Sequence, residues 1–154
     1  MWGTIYHSKG SIMENNTVSI DQVKTYLIDN GIHPSFQRLK IFQYLMQSKE
    51  HPTVDIMYQA LCREIPTLSK TTIYNTLNLF QQRGIVMGLT IEDNEVRYDA
   101  NIESHAHFKC TTCGKVYDIP FEYPELQEER INGHVIKERH FYMRGICKDC
   151  SNTS

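Results

Sequence analysis

A chain of 154 residues, 40% hydrophobic and 22% charged, has the make-up of a globular domain or of two small ones sharing one chain. Its net charge of −2 does not mark a nucleic-acid binder, and no apolar run nears the roughly 20 residues that span a bilayer. The charge is uneven, however. Residues 1–88 carry 8 Lys/Arg against 6 Asp/Glu, and residues 89–154 carry 8 against 12. That asymmetry points to two halves with different partners.

The opening MWGTIYHSKGSIMENN lacks the apolar core of a signal peptide, so a cytoplasmic location is the default expectation. Met13 precedes a more typical polar start. Residues 1–12 are therefore read as an alternative start or an added remnant, and residues 1–18 as a flexible tail. Ser19 and Gln22 form a capping box. The helix it opens places Ile20, Val23, Leu27 and Ile28 on one face, and Gly31 stops it. Pro34-Ser35 opens a second helix carrying Phe36, Leu39, Ile41, Phe42, Leu45 and Met46. His51-Pro52 ends that stretch, because the residue before proline avoids helical angles. Thr53 caps a third helix with Val54, Met57, Tyr58 and Leu61 at helical spacing. Ser69 caps a fourth, KTTIYNTLNLFQQR, which stripes Ile73, Leu77 and Phe80 along one side and ends at Gly84.

After Gly84 the period changes. IVMGLTI and EVRYDA read as strands around the polar turn EDN. Helix, short turn, helix and β-ribbon is the order of a winged helix-turn-helix, here residues 19–98. Residues 99–104, DANIES, read as a hinge. Beyond it HAHFKC and KVYDIP read as strands, YPELQEERIN as a short acidic helix, and HVIKERHFYMRGIC as one long strand. The expected class is α+β: a winged helix-turn-helix, then a small α/β dimerisation domain over residues 105–154.

On the fourth helix the apolar stripe leaves Lys70, Thr71, Thr72, Tyr74 and Asn75 on other faces of the first turns. A recognition helix touches base edges there, and its free N–H groups favour phosphate. A solvated helix start looks the same, and this helix alone leaves both readings open.

Cys110-x-x-Cys113 and Cys147-x-x-Cys150 form two knuckles. In a chain without a secretion signal this spacing indicates a closed, structural four-cysteine zinc site, ahead of a redox dithiol or a disulfide. Cys62 lies within the third helix pattern and is expected to be a small buried residue. If SHAHFK is a strand, His105 and His107 share a face, whereas Cys110 has the opposite parity and is assigned to the turn. Two sites are then simpler than one. Asp99, Asp118 and His51 are further donor candidates for the histidine pair, and a mixed His/carboxylate set suits Fe²⁺, Mn²⁺ or Zn²⁺. The alternative is that they are ordinary surface groups.

Together HPTVDIMYQAL, SKTTIYNTLNLFQQRGIV, VRYDAN, HAHFKCTTCGKVYDI and GICKDC resemble the ferric-uptake-regulator family of bacterial metal-dependent repressors, over about residues 19 to 150. The resemblance implies structural zinc on Cys110, Cys113, Cys147 and Cys150. It implies a regulatory site of His51, Asp99, His105, His107 and Asp118 that takes Fe²⁺ or Mn²⁺, with Zn²⁺ able to substitute. Tyr74 matches a base-contacting position, and Gln37-Arg38 the opening of the second helix. The family acts as a homodimer through its C-terminal half on double-stranded operator DNA, expected to be an A/T-rich palindrome. Asp at both carboxylate positions is similar to the peroxide-sensing branch, where iron-uptake repressors more often carry Glu. Ala106 and Arg139 stand where the family often has Asp and His of a further metal site, so that site looks depleted.

The expectation is a non-enzymatic, metal-dependent repressor that senses peroxide through iron-catalysed oxidation of a ligand histidine, by resemblance His51 or His105. An iron-sensing uptake repressor is the alternative, and a zinc-uptake repressor a more distant one. A zinc enzyme would need a positioned general base, which the sequence does not offer. A metal buffer would explain the ligands without DNA binding.

Overall fold

Residues 18–90, 95–103, 105–120, 129–137 and 139–152 are described by a computed structural model of the protein. Four helices come first: α1 (Ile20–Asp29), α2 (Phe36–Gln47), α3 (Val54–Leu61) and α4 (Lys70–Gln82). Each begins at a hydroxyl cap. The side chains of Ser19, Ser35, Thr53 and Ser69 accept from the backbone N–H three residues on. At Ser19 the box is reciprocal, because Gln22 Oε1 accepts the Ser19 N–H at 2.9 Å. Each such cap stabilises its helix by about 0.5–2 kcal/mol.

The helices enclose one core. Val23, Leu27, Ile41, Phe42, Ile73, Leu77 and Phe80 are each 0% exposed. At its centre Phe42 stacks on Tyr26, ring centroids 5.3 Å apart, and meets Phe80 edge-on at 5.4 Å. The expected face of α1 needs correction: Ile28 is 53% exposed and Tyr26 takes the inward place. Phe36, at the start of α2, is likewise 55% exposed. Cys62 caps the end of α3 and is half-buried, not buried as expected. Val18, assigned to the tail, packs against the core, and its carbonyl accepts from Gln43 Nε2 at 2.7 Å.

The wing is β1 (Met87–Leu89) paired antiparallel with β2 (Arg97–Asp99). The expected EDN turn between them lies outside the described residues. Asp99 pairs with Met87, so it belongs to β2. A three-stranded sheet follows, of β3 (His105–Cys110), β4 (Val116–Pro120) and β7 (Phe141–Gly145) in the order β4-β3-β7. β3 is antiparallel to β4 and parallel to β7. A small apolar cluster of Leu89 and Val116, flanked by Met87 and Tyr142, joins the wing to this sheet.

The expected single strand over residues 134–147 is two. β5 (Arg130–Ile131) and β6 (His134–Val135) form a separate hairpin, and β7 starts only at Phe141. Its turn, Asn132-Gly133, has positive φ at both residues, 49° and 84°, as a two-residue primed turn requires. The expected acidic helix falls largely on undescribed residues, but Arg130 and Ile131 are strand. Cys147 then caps α5 (Lys148–Ser151), which carries Cys150. Among the described residues no helix is long and apolar enough to cross a membrane.

Replacing Phe42 by Ala removes the ring between Tyr26 and Phe80 and is expected to cost about 3–5 kcal/mol, read from the urea midpoint. Phe36→Ala, at an exposed site, should stay within about 0.5 kcal/mol. Equal losses would contradict this placement of the core.

Candidate metal centre

β3 carries ligand candidates on both of its faces. His105 and His107 project to one side, and Cys110, at the strand's end and not in the turn as expected, is reached from the other. Asp118 stands directly across from His107 in the β3–β4 register, so it shares that face. Asp99 arrives from the end of β2, and His51 from the loop between α2 and α3.

These five side chains converge, each offering one ligand atom within 4.8 Å of the others. Asp99 Oδ2 lies 3.0 Å from His105 Nε2, 3.2 Å from His51 Nε2 and 3.5 Å from His107 Nε2. Asp118 Oδ1 is 2.8 Å from His51 Nε2 and 3.3 Å from His105 Nε2. The Nε2 atoms of His105 and His107 are 2.9 Å apart. On the outer side, His105 Nδ1–H donates to the Glu103 carbonyl at 2.6 Å. That bond fixes the tautomer and leaves the Nε2 lone pair facing inward. The Asn101 N–H holds the other oxygen of Asp99 at 2.7 Å.

Lone pairs and carboxylate oxygens crowded this closely repel one another unless cations sit among them. Without a metal, protons take that part. Burial by itself lowers the His51 pKa, but hydrogen bonds to Asp118 and Asp99 overcome it and hold it at about 9. The same two carboxylates raise His105 to about 10, against its burial. Burial pushes Asp99 and Asp118 upward, yet their histidine partners hold both well below the usual carboxylate range. Three imidazole nitrogens and two carboxylate oxygens fit a divalent ion of the iron, manganese or zinc type. Asp99 is 10% exposed and Asp118 44%, so the cluster is closed on one side and open on the other. A cleft lined by Met46, Lys49 and Asn101 leads to His51, Asp99 and Asp118.

His51 is held in an unusual backbone state. Its φ is +49°, in the left-handed region, directly before Pro52. A non-glycine residue there costs about 1–3 kcal/mol and persists only where its surroundings fix it. Here Tyr98 N–H donates to the Pro52 carbonyl at 3.1 Å, and Arg97 Nη1 to the His51 carbonyl at 3.3 Å. Arg97 was not singled out in the sequence. Its signal was its place two residues before Asp99 on one strand.

The sulfur atoms of Cys110, Cys113, Cys147 and Cys150 form a second group, again within 4.8 Å of one another. Gly114, at φ +73°, turns the first knuckle and donates its N–H to the Cys110 carbonyl at 3.0 Å. The N–H groups of Cys113 and Cys147 point at Cys110 Sγ, at 3.5 and 3.3 Å, and pull that thiol down to about 6. The Tyr117 hydroxyl is the main cause lowering Cys147, while the Cys147 sulfur pushes Cys150 up to about 12. Four thiolates therefore cannot share this space without a cation, and a tetrahedral thiolate-binding ion such as Zn²⁺ fits.

The candidate DNA-reading residues are mostly outward. Lys70, Thr71, Tyr74 and Asn75 are exposed on the first turns of α4, with Tyr74 at 49%. Thr72 is half-buried, its hydroxyl 2.9 Å from the capping Ser69 hydroxyl. Lys70 pairs with Asp55 at 2.9 Å. Gln37 Nε2 donates to Thr67 Oγ1 at 3.3 Å, beside the turn that leads into α4. Arg38 braces the loop before α2 by donating to the His33 carbonyl at 2.8 Å.

The family model described as "Ferric uptake regulator family" matches residues 29–145. The chain belongs to the ferric uptake regulator family. The peroxide-responsive repressor PerR of Staphylococcus aureus strain Mu50 is 41% identical over 127 residues, 79% of this chain and 84% of that protein. PerR of strain USA300 is 40% identical over the same length and shares. Among solved structures, the Helicobacter pylori ferric uptake regulator Fur superposes with a TM-score of 0.64 at 21% identity, covering 89% of this chain and 97% of that one. A zinc-bound manganese uptake regulator gives 0.59 at 26% identity, covering 84% and 99%. Members of the ferric uptake regulator family are metal-responsive transcriptional repressors that bind DNA as dimers, and they are not enzymes.

Cobalt substitution distinguishes the two donor sets. Wild-type protein is expected to show intense thiolate-to-Co²⁺ absorption from the cysteine group and only weak bands from the His/Asp group. Cys110→Ser should abolish the thiolate band, and His107→Ala should leave it intact. A thiolate band that survives Cys110→Ser would remove Cys110 from the ligand set.

Proposed function

We propose that this protein is a metal-dependent transcriptional repressor of the peroxide-responsive kind. The observation that carries the reading is the meeting of His51, from the loop between two helices of the DNA-binding half, with His105, His107 and Asp118 of the sheet half. Asp99 stands at the junction and touches all three histidines. A divalent ion held by these five residues ties the halves together. Only the closed arrangement fits two α4 helices of a homodimer to two operator half-sites. Dimerisation uses the C-terminal half, and the partner is double-stranded, A/T-rich palindromic DNA in the cytoplasm. Lys70, Thr71, Thr72, Tyr74 and Asn75, with Gln37 and Arg38 beside them, face the operator.

Cys110, Cys113, Cys147 and Cys150 hold Zn²⁺ permanently and fasten the end of β3 to α5. That anchoring fixes the strand from which His105 and His107 project. The ion at the five-residue site is Fe²⁺ or Mn²⁺, with Zn²⁺ able to replace it. Fe²⁺ held by these five residues would supply the reducing chemistry that activates hydrogen peroxide beside the ligand imidazoles, the peroxide being the oxidant and the source of the oxygen. The chain's own part is to admit the peroxide along the open Asp118 side and to offer His51 or His105 as the ring that is oxidised. A histidine that has gained oxygen at the ring no longer draws the halves together, and the operator is released.

The 41% identity to a peroxide-responsive repressor, and Asp at both carboxylate positions, favour this branch. An iron-sensing uptake repressor would use the same ligands without self-oxidation. Mass spectrometry of Fe²⁺-loaded protein after hydrogen peroxide decides between them. One added oxygen atom on the His51 or His105 peptide, with loss of operator binding, is expected. Unmodified peptides and retained DNA binding would contradict peroxide sensing and leave the iron-sensing reading.

A further inference from the structure

His51 poses a question that the five-residue cluster does not answer. Its backbone is in the left-handed region, and the residue before a proline is sterically driven toward extended angles. None of the carboxylates around its ring holds the backbone that way. The backbone contacts come from β2, where Arg97 Nη1 donates to the His51 carbonyl at 3.3 Å and Tyr98 N–H to the Pro52 carbonyl at 3.1 Å.

We propose that Arg97 is a positioning residue for the regulatory metal site, acting through the backbone of His51. Arg97 and Asp99 are two residues apart on one strand, so their side chains share a face. Asp99 is the more buried of the two carboxylates, and its Oδ2 lies within 3.5 Å of all three histidines. The two donors that precede β3 in the chain, His51 and Asp99, therefore hang on the same three-residue strand, Asp99 directly and His51 through Arg97. That strand is also the second strand of the wing, paired with β1 through Arg97↔Leu89 and Asp99↔Met87. Leu89 and Met87 sit in the apolar cluster with Val116 and Tyr142 of the sheet. Wing, sheet and two metal donors thus share one beam, and Arg97 joins the strained loop to it. The guanidinium does not act as a ligand, since it has no lone pair to give.

This inference rests on the reading of the cluster as a metal site, and charge makes its test directional. Arg97 is positive and lies beside a site for a cation. Removing a positive charge would, through electrostatics alone, tighten cation binding. Loss of the clamp predicts the opposite sign. The experiment is Mn²⁺ titration by calorimetry of full-length, zinc-loaded wild type, Arg97→Ala and Arg97→Lys. Circular dichroism checks that each variant is folded.

Arg97→Ala is expected to bind Mn²⁺ about 10–100-fold more weakly, the range typical of residues that orient a metal ligand. Arg97→Lys keeps a donor and the charge and should recover most of that loss. Unchanged or tighter Mn²⁺ binding by Arg97→Ala would overturn the clamp while leaving the metal site in place. So would equal weakening in Arg97→Ala and Arg97→Lys. Should Arg97→Ala fail to fold, Arg97→Gln carries the same comparison, and wild-type affinity there would equally overturn the proposal. A wild type that takes up no Mn²⁺ beyond its zinc would instead overturn the metal-site reading itself, and the clamp with it.

Discussion

One nearly buried carboxylate oxygen gathers three histidines from two parts of the chain. Asp99 Oδ2 lies between 3.0 and 3.5 Å from the Nε2 atoms of His105, His51 and His107. Its carboxylate is almost buried, and a buried charge is costly unless it is paired. The pairing must come from both sides of β2 in the chain, because His51 precedes that strand and the other two histidines follow it. Protons or a metal ion can satisfy the cluster, but only if the two halves stay in contact. The electrostatics of one carboxylate thus translate into the relative position of the helical half and the three-stranded sheet.

The rest of the fold keeps that junction rigid. α1 to α4 pack around Phe42 and leave Lys70, Thr71, Tyr74 and Asn75 of α4 exposed. The wing strand β2 ends at Asp99 and pins the His51 loop through the backbone. On the far face of β3, the cysteine group ties the strand's end to α5. Its backbone N–H groups aim at Cys110 Sγ, so the knuckles are shaped for thiolates before any ion is considered. The two groups answer different chemical needs: one set of donors closes around an ion, and the other leaves a side open at Asp118.

Much of this was legible in the sequence, for physical reasons. Caps speak locally, so Ser19, Ser35, Thr53 and Ser69 marked their helices accurately. Strand parity separated His105 and His107 from Cys110, donor chemistry put forward His51, Asp99 and Asp118 as further candidates, and the family resemblance matched the same five residues. Periodicity could not choose between Ile28 and Tyr26, because the choice rests on Tyr26 stacking upon Phe42 of another helix. The β5–β6 hairpin was missed although Asn132-Gly133 is a strong two-residue turn signal; the mixed run after it, HVIKERHFYMRGIC, read as one strand. The left-handed His51 was not legible at all. Proline predicts the reverse, and the contacts that hold it come from Arg97 and Tyr98, far along the chain. Resemblance names ligands, but only the tertiary contacts reveal what holds them.

The central claim is that the ion at His51, Asp99, His105, His107 and Asp118 governs DNA binding while the cysteine site stays filled. It is tested most directly by fluorescence anisotropy of operator DNA with zinc-loaded protein, with Mn²⁺ added in steps. Affinity is predicted to rise at least about tenfold, a coupling of roughly 1.4 kcal/mol, and to saturate near one Mn²⁺ per chain. Affinity that is already maximal without Mn²⁺, and indifferent to its addition, would contradict it.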